Sequence, residues 1–366
     1  MKMLCSKCGY EINDDKEEQF CPNCGCELEK QAEDVKTKKK PRKVWKKLGC
    51  LVVGVFTLAV FVYTANPKTV VKDGVITVRP AIIHENNNSR WNLTNNPIVR
   101  LSFRGRDKIK KVEIPEGVTK IGDGAFWGYS RLTDIAIPSS VTEIGNYAFS
   151  ECSGIGSITL SSSVTEIGDG AFWGCRNLNN ITISADKIEK IGSHAFSECS
   201  GLRRIAIPTG VEEIEDHTFY GCESLKDITI PSGVTQIGEY TFYACRSLES
   251  ITIPSSIIQI GNYAFSWCDN LKDITIPEGV IRIGDSAFSR CAGLKDITIP
   301  SGVTQIGEYT FYACRSLESI TIPSSVIEIG HGAFYDCGDI RIRFPEKMRD
   351  WNLSDFIDSD ASYAFY

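Results

Sequence analysis

The chain has 366 residues, with 46 acidic and 40 basic side chains and a net charge of −6. The charge is uneven, because residues 1–47 hold 12 basic and 9 acidic side chains whereas residues 48–366 hold 28 basic and 37 acidic ones. An acidic main part argues against nucleic-acid binding, which needs a basic surface. The 15 cysteines form two sets, six before residue 51 and nine at regular intervals later in the chain.

The first segment, residues 1–30, carries two CxxC pairs separated by 12 residues, Cys5/Cys8 and Cys21/Cys24. Four thiolates at this spacing suit one tetrahedral Zn²⁺ in a closed, structural site. The segment Phe20-Cys-Pro-Asn-Cys-Gly resembles the zinc-ribbon family. About 30 residues cannot form a sufficient core unaided, so bound metal is expected to drive folding here. Two redox pairs or disulfides are the alternative, although no βαβ pattern surrounds them.

Residues 31–47 form a polar linker that ends in a basic run, and residues 48–67 form an uncharged segment. Lys36–Lys47 contains eight Lys or Arg and no acid, and Leu48–Pro67 follows it directly. Twenty helical residues reach roughly 30 Å, the thickness of the hydrocarbon layer of a membrane. The sequence therefore predicts a transmembrane helix over residues 48–67. A cleaved signal peptide is the rival interpretation, but it fits a 47-residue N-terminal extension poorly.

The flanking charges predict the orientation of this helix. Eight basic residues precede it within Lys36–Lys47, and three follow it within residues 66–80. By the positive-inside rule the N-terminus lies in the cytoplasm and the main part lies outside the cell. Residues 68–97 are expected to be a stalk or small pre-domain, in which Val70–Val78 around Asp73-Gly74 suits a β-hairpin.

The main part is a repeat array. The segment ITIPSGVTQIGEYTFYACRSLES spans Ile228–Ser250 and is repeated without change at Ile297–Ser319. It lies within a larger duplication, in which Lys226–Ser256 is identical to Lys295–Ser325. Less exact copies of the repeat each contain one phenylalanine at the same position, which gives ten marker phenylalanines. Eight of the nine intervals between them are 23 residues long, and one is 24. The marker phenylalanines are Phe126, Phe149, Phe172, Phe196, Phe219, Phe242, Phe265, Phe288, Phe311 and Phe334. A fixed period of this length indicates a solenoid whose units bury their apolar faces on one another.

One unit, Leu225–Leu248, illustrates the expected local structure. Ile228-Thr-Ile230 alternates as a short strand does, and Pro231 ends it. Val234, Ile237, Phe242, Cys245 and Leu248 then recur at three- to five-residue spacing, which predicts a tight non-strand or helical return, with Gly238 at a sharp turn or a positive φ. We expect the strands of successive units to lie parallel.

This unit resembles the leucine-rich repeat superfamily, in particular its BspA-like class. The matching motifs are Leu225-x-x-Ile228-x-Ile230-Pro231, Val234-x-x-Ile237-Gly238 and Thr241-Phe242-x-x-Cys245. The resemblance implies an α/β-type solenoid over residues 98–345, with ten units of about 23 residues and short parallel strands on the concave side. Members of this class look like surface-exposed binding and adhesion proteins, often bacterial. Residues 346–366 are expected to cap the open core with Met348, Trp351 and Phe356.

The nine repeat cysteines each follow a marker phenylalanine by three residues, and a buried apolar role is favoured over a metal ladder or disulfides. No catalytic motif appears, and the four histidines are scattered, so an enzyme is not expected. A ladder of Thr with Asp or Ser lines the strands but lacks aromatic anchors. Aromatic residues directly after the marker phenylalanines are candidates for ligand binding, or else they pad the return. They are Trp127, Trp173, Tyr220, Tyr243, Tyr312 and Tyr335.

Together these features predict a membrane-anchored surface protein whose solenoid binds a protein or glycan. The alternative is a transmembrane sensor or regulator, in which the zinc ribbon and its basic flank contact a cytoplasmic protein or nucleic acid. An extracellular hydrolase with a site built from several repeats ranks third.

Overall fold

The computed structural model describes residues 2–4, 11–13, 70–72, 75–77, 106–114, 116–184 and 187–366, in two compact units, Met1–Val52 and Val53–Tyr366. In the first unit, Lys2–Leu4 and Glu11–Asn13 form an antiparallel pair in which Met3 lies opposite Ile12. The predicted zinc ligands Cys5, Cys8, Cys21 and Cys24 and the predicted membrane helix over residues 48–67 lie outside the described residues. Within the described residues, no helix is both long enough and apolar enough to span a membrane.

The second unit begins its described part with a hairpin. Val70–Lys72 and Val75–Thr77 pair antiparallel, which confirms the predicted β-hairpin. Val75–Thr77 also pairs in parallel with Lys111–Glu113, the first strand of the repeat array. The hairpin therefore starts the stack of strands rather than standing apart from it.

Each repeat, which we call a rung, contributes two short strands. The first strand holds the Ile-Thr-Ile letters, and these strands are Lys111–Glu113, Asp134–Ala136, Ser157–Leu160, Asn180–Ile183, Arg204–Ile205, Asp227–Thr229, Ser250–Thr252, Asp273–Thr275, Asp296–Thr298, Ser319–Thr321 and Arg341–Phe344. The second strands are Lys120–Ile121, Glu143–Ile144, Glu166–Ile167, Lys190–Ile191, Glu213–Ile214, Gln236–Ile237, Gln259–Ile260, Arg282–Ile283, Gln305–Ile306 and Glu328–Ile329. The result is a β-solenoid of parallel strands with a period of about 23 residues.

The return of each rung differs from the prediction. Ile237 lies in a second parallel strand, and not in a non-strand or helical return. The described residues contain no α-helix, only 3₁₀ turns at Arg106–Lys108, Glu346–Met348 and Leu353–Asp355, so the α/β assignment was wrong for them. A two-residue strand is too short to show alternation in the sequence, and its hydrogen bonds come from the neighbouring rungs.

Of the two alternatives predicted for Gly238, the positive φ is wrong, whereas a turn does begin directly after this residue. Glycine is required at this position because the backbones of neighbouring rungs approach each other closely here. At the equivalent Gly261, a Cβ atom would lie 2.7 Å from the carbonyl carbon of Gly238 and 2.8 Å from the amide nitrogen of Glu239. Where Glu215 replaces this glycine, the sheet of second strands breaks between Glu213–Ile214 and Gln236–Ile237. Glu213–Ile214 keeps its pairing with Lys190–Ile191 of the preceding rung.

The core is one continuous column of apolar side chains. The marker phenylalanines and the repeat cysteines are all buried, as are the central isoleucines of the first strands except Ile135, which is partly buried. At the C-terminus, Ser362–Phe365 pairs in parallel with Arg341–Phe344, and Phe334 bridges to Ile357. Met348 and Phe356 are buried and Trp351 is partly buried against the same core. Residues 346–366 thus cover the last repeat by continuing its strand pattern for one more rung.

Candidate binding surfaces

The marker phenylalanines form the interior scaffold of the surfaces described below. Their rings stack along the solenoid with centroid separations of 5.3–5.6 Å and interplanar angles of 1–15°. The backbone N–H of each phenylalanine donates to a carbonyl of the next rung, as from Phe242 to Ala264 at 2.8 Å. Offset stacking at this distance is favourable for aromatic rings. The neighbouring residues are therefore held in a fixed register from rung to rung.

The nine repeat cysteines reinforce this scaffold. Each sulfur atom lies 2.9–3.3 Å from the carbonyl oxygen of the phenylalanine in the preceding rung. All nine are buried, which confirms the buried role predicted for them. Burial raises the pKa of the Cys175, Cys222, Cys268 and Cys314 thiols well above the ordinary value. These cysteines thus remain protonated S–H donors that tie one rung to the next.

Two residues per rung adopt the left-handed backbone conformation, one two positions before the marker phenylalanine and one two positions after it. In the rung of Phe265 these are Tyr263 and Trp267, with φ of 56° and 63°. Glycine fills such positions most readily, yet here tyrosine, histidine, glutamate and arginine also occupy them. The two reversals turn the backbone around the buried ring. The flanking side chains form the rim of the solenoid on that side.

The predicted ligand-binding aromatics lie on this rim with different exposure. Trp127 and Trp173 expose 46% and 38% of their surface, and Tyr220, Tyr243, Tyr312 and Tyr335 are half-buried. Tyr220 stacks on Tyr243 with a centroid distance of 4.9 Å and nearly parallel planes. The rim aromatics thus lie on the surface, and some of them pair with each other across rungs.

A second aromatic column lies beside the first, at the left-handed position before the phenylalanine. His194, His217, Tyr240 and Tyr263 stack successively with centroid distances of 4.4, 4.7 and 4.6 Å. Burial lowers the pKa of His194 and of His217, so both imidazoles are neutral at neutral pH. Neutral rings stack without the charge repulsion that two imidazolium ions would suffer. Together with Tyr220 and Tyr243 they form a compact platform of six aromatic rings, which we call the aromatic platform.

The column directly after the phenylalanine is not a continuous row. Where the left-handed residue after the phenylalanine is small, the preceding residue is a large aromatic, as in Trp173-Gly174 and Tyr243-Ala244. Where it is large, the preceding residue is a buried serine, as in Ser266-Trp267 and Ser289-Arg290. One bulky side chain per rung fits this edge, and it comes from either position.

Trp267 and two arginines fill the gap between the tyrosines of the duplicated block. The guanidinium of Arg290 lies 4.3 Å from the Trp267 ring centre and 5.5 Å from the Tyr312 ring centre, and that of Arg246 lies 5.2 Å from Trp267. Such cation–π contacts are each worth about 0.5–1 kcal/mol at exposed sites. The role of these arginines carries no signal in the sequence, because their contacts run between rungs.

The face of the first strands carries the expected polar ladder. In Asp227–Thr229 the outer residues are exposed and Ile228 is buried, and the same alternation holds in Asp273–Thr275 and Asp296–Thr298. The carboxylate of Asp227 forms an ion pair with Arg204 on the neighbouring strand, with Oδ2 3.4 Å from Nε. This face presents short polar side chains without aromatic anchors. Hot spots of protein interfaces usually contain such anchors.

No catalytic or metal centre emerges from the described part of the chain. There, no group of three or more His, Cys, Asp or Glu side chains is placed to hold a metal ion. The antiparallel pair of Lys2–Leu4 and Glu11–Asn13 brackets Cys5 and Cys8 in the sequence. The zinc site stays a prediction.

A known protein family and several solved structures are similar to this chain. A family profile described as a BspA type leucine rich repeat region matches residues 88–203, 189–315 and 235–362. A leucine rich cell surface protein from Faecalibacterium prausnitzii A2-165 is 33% identical over 69% of this chain and 77% of its own, with a TM-score of 0.47. The pneumococcal vaccine antigen PcpA is 18% identical over 70% of this chain and 68% of its own, with a TM-score of 0.51.

A leucine-rich repeat protein from Bacteroides ovatus is 24% identical over 80% of this chain and 92% of its own, with a TM-score of 0.43. None of the curated protein sequences matches the chain. The family profile covers well over half of the chain and matches the same ten-rung array in which the phenylalanine column was found. The chain therefore belongs to the BspA-type leucine-rich repeat family.

Proposed function

We propose that this protein is a membrane-anchored cell-surface binding protein whose solenoid engages a protein or a glycan through the rim aromatics. Leucine-rich repeat proteins are in general binding scaffolds without enzymatic activity, and they generally mediate protein binding. The aromatic platform is the observation that carries the proposal. It gathers His194, His217, Tyr220, Tyr240, Tyr243 and Tyr263 on one edge, at stacking distance from one another.

The physical argument rests on what such rings offer to a partner. Stacked rings are already ordered, so a partner that packs on them loses little side-chain entropy in the protein. Aromatic side chains are the commonest anchors of binding hot spots, and partly buried tyrosines keep a hydroxyl available to a polar partner. Tyr240 and Tyr243 recur as Tyr309 and Tyr312 in the duplicated block, three rungs away. A partner with its own repeats, such as a glycan chain, gains affinity by contacting both copies.

The location follows from sequence features that lie outside the described residues. The uncharged segment 48–67 and the basic run Lys36–Lys47 support an anchor with a cytoplasmic N-terminus and an extracellular solenoid. The Faecalibacterium protein is a cell surface protein by name. Its name agrees with the proposed location, but the proposal rests on the sequence features.

A mutational comparison within the duplicated block tests the proposed site. Full-length protein on cells is screened against an array of polysaccharides and extracellular-matrix proteins. Tyr243→Ala with Tyr312→Ala should then weaken the strongest interaction roughly tenfold or more, since ~1.4 kcal/mol is a factor of ten. Thr229→Lys with Thr298→Lys, in the same two blocks but on the first-strand face, is the matched control. If the lysine pair abolishes binding and the alanine pair leaves it intact, the first-strand face is the binding site.

A second candidate function is a transmembrane sensor or regulator. The feature that favours it is the predicted zinc ribbon beside a basic run, since an anchor alone needs no metal-folded segment. Deleting residues 1–35 distinguishes the two functions. Loss of an intracellular response with normal surface display supports the sensor, whereas unchanged physiology supports a simple surface adhesin.

A further inference from the structure

The row of second strands has two halves of different character. Its N-terminal half is charged and internally paired, since Lys120 pairs with Glu143 and Lys190 lies 3.7 Å from Glu213 and 2.5 Å from Glu215. Its C-terminal half presents Gln236, Gln259 and Gln305, with one cation at Arg282 and one anion at Glu328. The two halves thus offer different surfaces on the same scaffold.

The C-terminal half also exposes isoleucines. Ile258, Ile281 and Ile327 immediately precede their second strands and expose 52%, 55% and 67% of their surface. The equivalent residues of the N-terminal half are Thr119, Thr142, Thr165, Glu189 and Glu212. We call Ile258, Ile281, Arg282, Thr304, Gln305, Ile327 and Glu328 the isoleucine face. An apolar surface bordered by polar groups is typical of a protein interface.

The charges of this face are arranged symmetrically about one rung. In the parallel register, Arg282 neighbours Gln305, and Gln305 neighbours Glu328. Arg282 and Glu328 therefore lie one rung to either side of Gln305, roughly 9–10 Å apart. Ile281 and Ile327 likewise flank Thr304. Within the described residues Arg282 has no ion pair, while Glu328 accepts a hydrogen bond from Gln305 at 2.6 Å.

We propose that the isoleucine face binds the same face of a second copy of this chain. A twofold axis through the rung of Thr304 and Gln305 runs the two copies antiparallel. It places Arg282 against Glu328 of the second copy and Ile281 against Ile327 of the second copy, with each contact made twice. Such an isologous contact is the commonest form of homodimer.

The charges of the chain favour this face as the place where two copies meet. Residues 48–366 carry 37 acidic and 28 basic side chains, so two copies repel each other on average. The isoleucine face carries one positive and one negative charge, and the twofold axis pairs them with opposite signs. Two copies therefore meet here without net repulsion while they bury exposed isoleucines. The aromatic rim, on other residues, takes no part in this contact.

The duplicated sequence block provides a matched cross-linking experiment. Thr304 and Thr235 are both exposed and lie at the same position of the identical blocks Lys295–Ser325 and Lys226–Ser256. Thr304 lies at the proposed axis, whereas Thr235 lies three rungs from it. Full-length protein on cells that carries Thr304→Cys should form a covalent dimer under mild oxidation or with a short bismaleimide. Thr235→Cys and the wild type should stay largely monomeric on non-reducing gels.

A charge exchange in the Thr304→Cys background tests the orientation. Arg282→Glu and Glu328→Arg should each suppress the covalent dimer, and the two substitutions together should restore it. Equal cross-linking at Thr235 and Thr304 contradicts the proposal, as does a double exchange that does not recover the dimer. A cross-linked product with a mass other than twice that of the chain shows that the face belongs to a different partner.

Discussion

At the scale of single residues, nine of the ten marker phenylalanines are followed three residues later by a buried cysteine. The period and the position after each phenylalanine were sufficient to predict their burial. The hydrogen bond from each thiol to a phenylalanine carbonyl could not be predicted, because it joins residues 26 or 27 positions apart. A serine hydroxyl at Cys245 would need a buried hydrogen-bond partner. The structure offers it the carbonyl oxygen of Phe219, so most of its cost should come from lost sulfur packing.

The left-handed positions could not be predicted at this scale either. Glycine marks them in some rungs, as at Gly170 and Gly221, but tyrosine, histidine and glutamate hold them in others. Residues such as Tyr147 tolerate the conformation only because the surrounding rungs impose it. The exposed aromatics were identified from their place beside the marker phenylalanine. Their stacking into two columns follows from contacts between rungs.

Thiol burial predicts a dependence of stability on alkaline pH. Burial raises the pKa of Cys337 from the ordinary thiol value of 9.0 to about 12. Between these values the folded state keeps the proton while the unfolded state loses it. The stabilisation is therefore complete below pH 9 and is lost as the pH rises toward 12. The wild type should lose about 1.4 kcal/mol of unfolding free energy per pH unit there, relative to Cys337→Ala.

Urea titrations of both proteins between about pH 8 and pH 11 measure this difference. The variant is the control for the titration of lysines and tyrosines, which both proteins share. A difference in unfolding free energy that does not change with pH would mean that Cys337 ionises equally in the folded and unfolded chains.

At the scale of strands and turns, each rung consists of two strands joined by turns around a buried ring. The first strand was predictable because Ile-Thr-Ile alternates and a proline ends it. The second strand was missed because two residues such as Gln236–Ile237 show no alternation. That omission also concealed the isoleucine face, whose exposed residues immediately precede these strands. The glycine after the second strand was noticed, but its role is close approach and not a left-handed turn.

The close approach at that glycine predicts a large cost for adding one methyl group. Gly261→Ala should destabilise the solenoid by about 1–3 kcal/mol, since its Cβ meets backbone atoms that cannot move independently. Gly156→Ala is the matched control. A Cβ there meets nothing within 4 Å and φ is not positive, so its effect should stay within about 0.5 kcal/mol. Thermal or urea unfolding of both variants measures the contrast, and equal effects would contradict the close-approach role.

At the scale of the whole molecule, we propose that one chain combines a zinc ribbon, a membrane helix and a binding solenoid. The solenoid was predictable over its full length, because a fixed period repeated ten times leaves few alternatives. The ligand was not, since its recognition depends on how side chains of several rungs meet at the rim. The ribbon and the helix are predictions from local composition and spacing. Each can be tested directly.

Metal analysis tests the ribbon. Full-length protein purified under reducing conditions should contain about one Zn²⁺ per chain, because four thiolates satisfy one tetrahedral ion. Cys21→Ser with Cys24→Ser should remove most of it. Cys26→Ser, a neighbouring thiol outside the predicted ligand set, should retain it. Metal content near zero in the wild type, or equal loss in both variants, would contradict the predicted site.

Accessibility on intact cells tests the central claim most directly, that the solenoid is displayed outside the membrane while the N-terminus stays in the cytoplasm. The cell wall or outer membrane is first removed, and protease is then added to otherwise intact cells. Antibodies against the solenoid and against residues 1–30 follow the two parts. The account predicts that the solenoid is digested and the N-terminal segment is spared. A protected solenoid together with a digested N-terminal segment would contradict it.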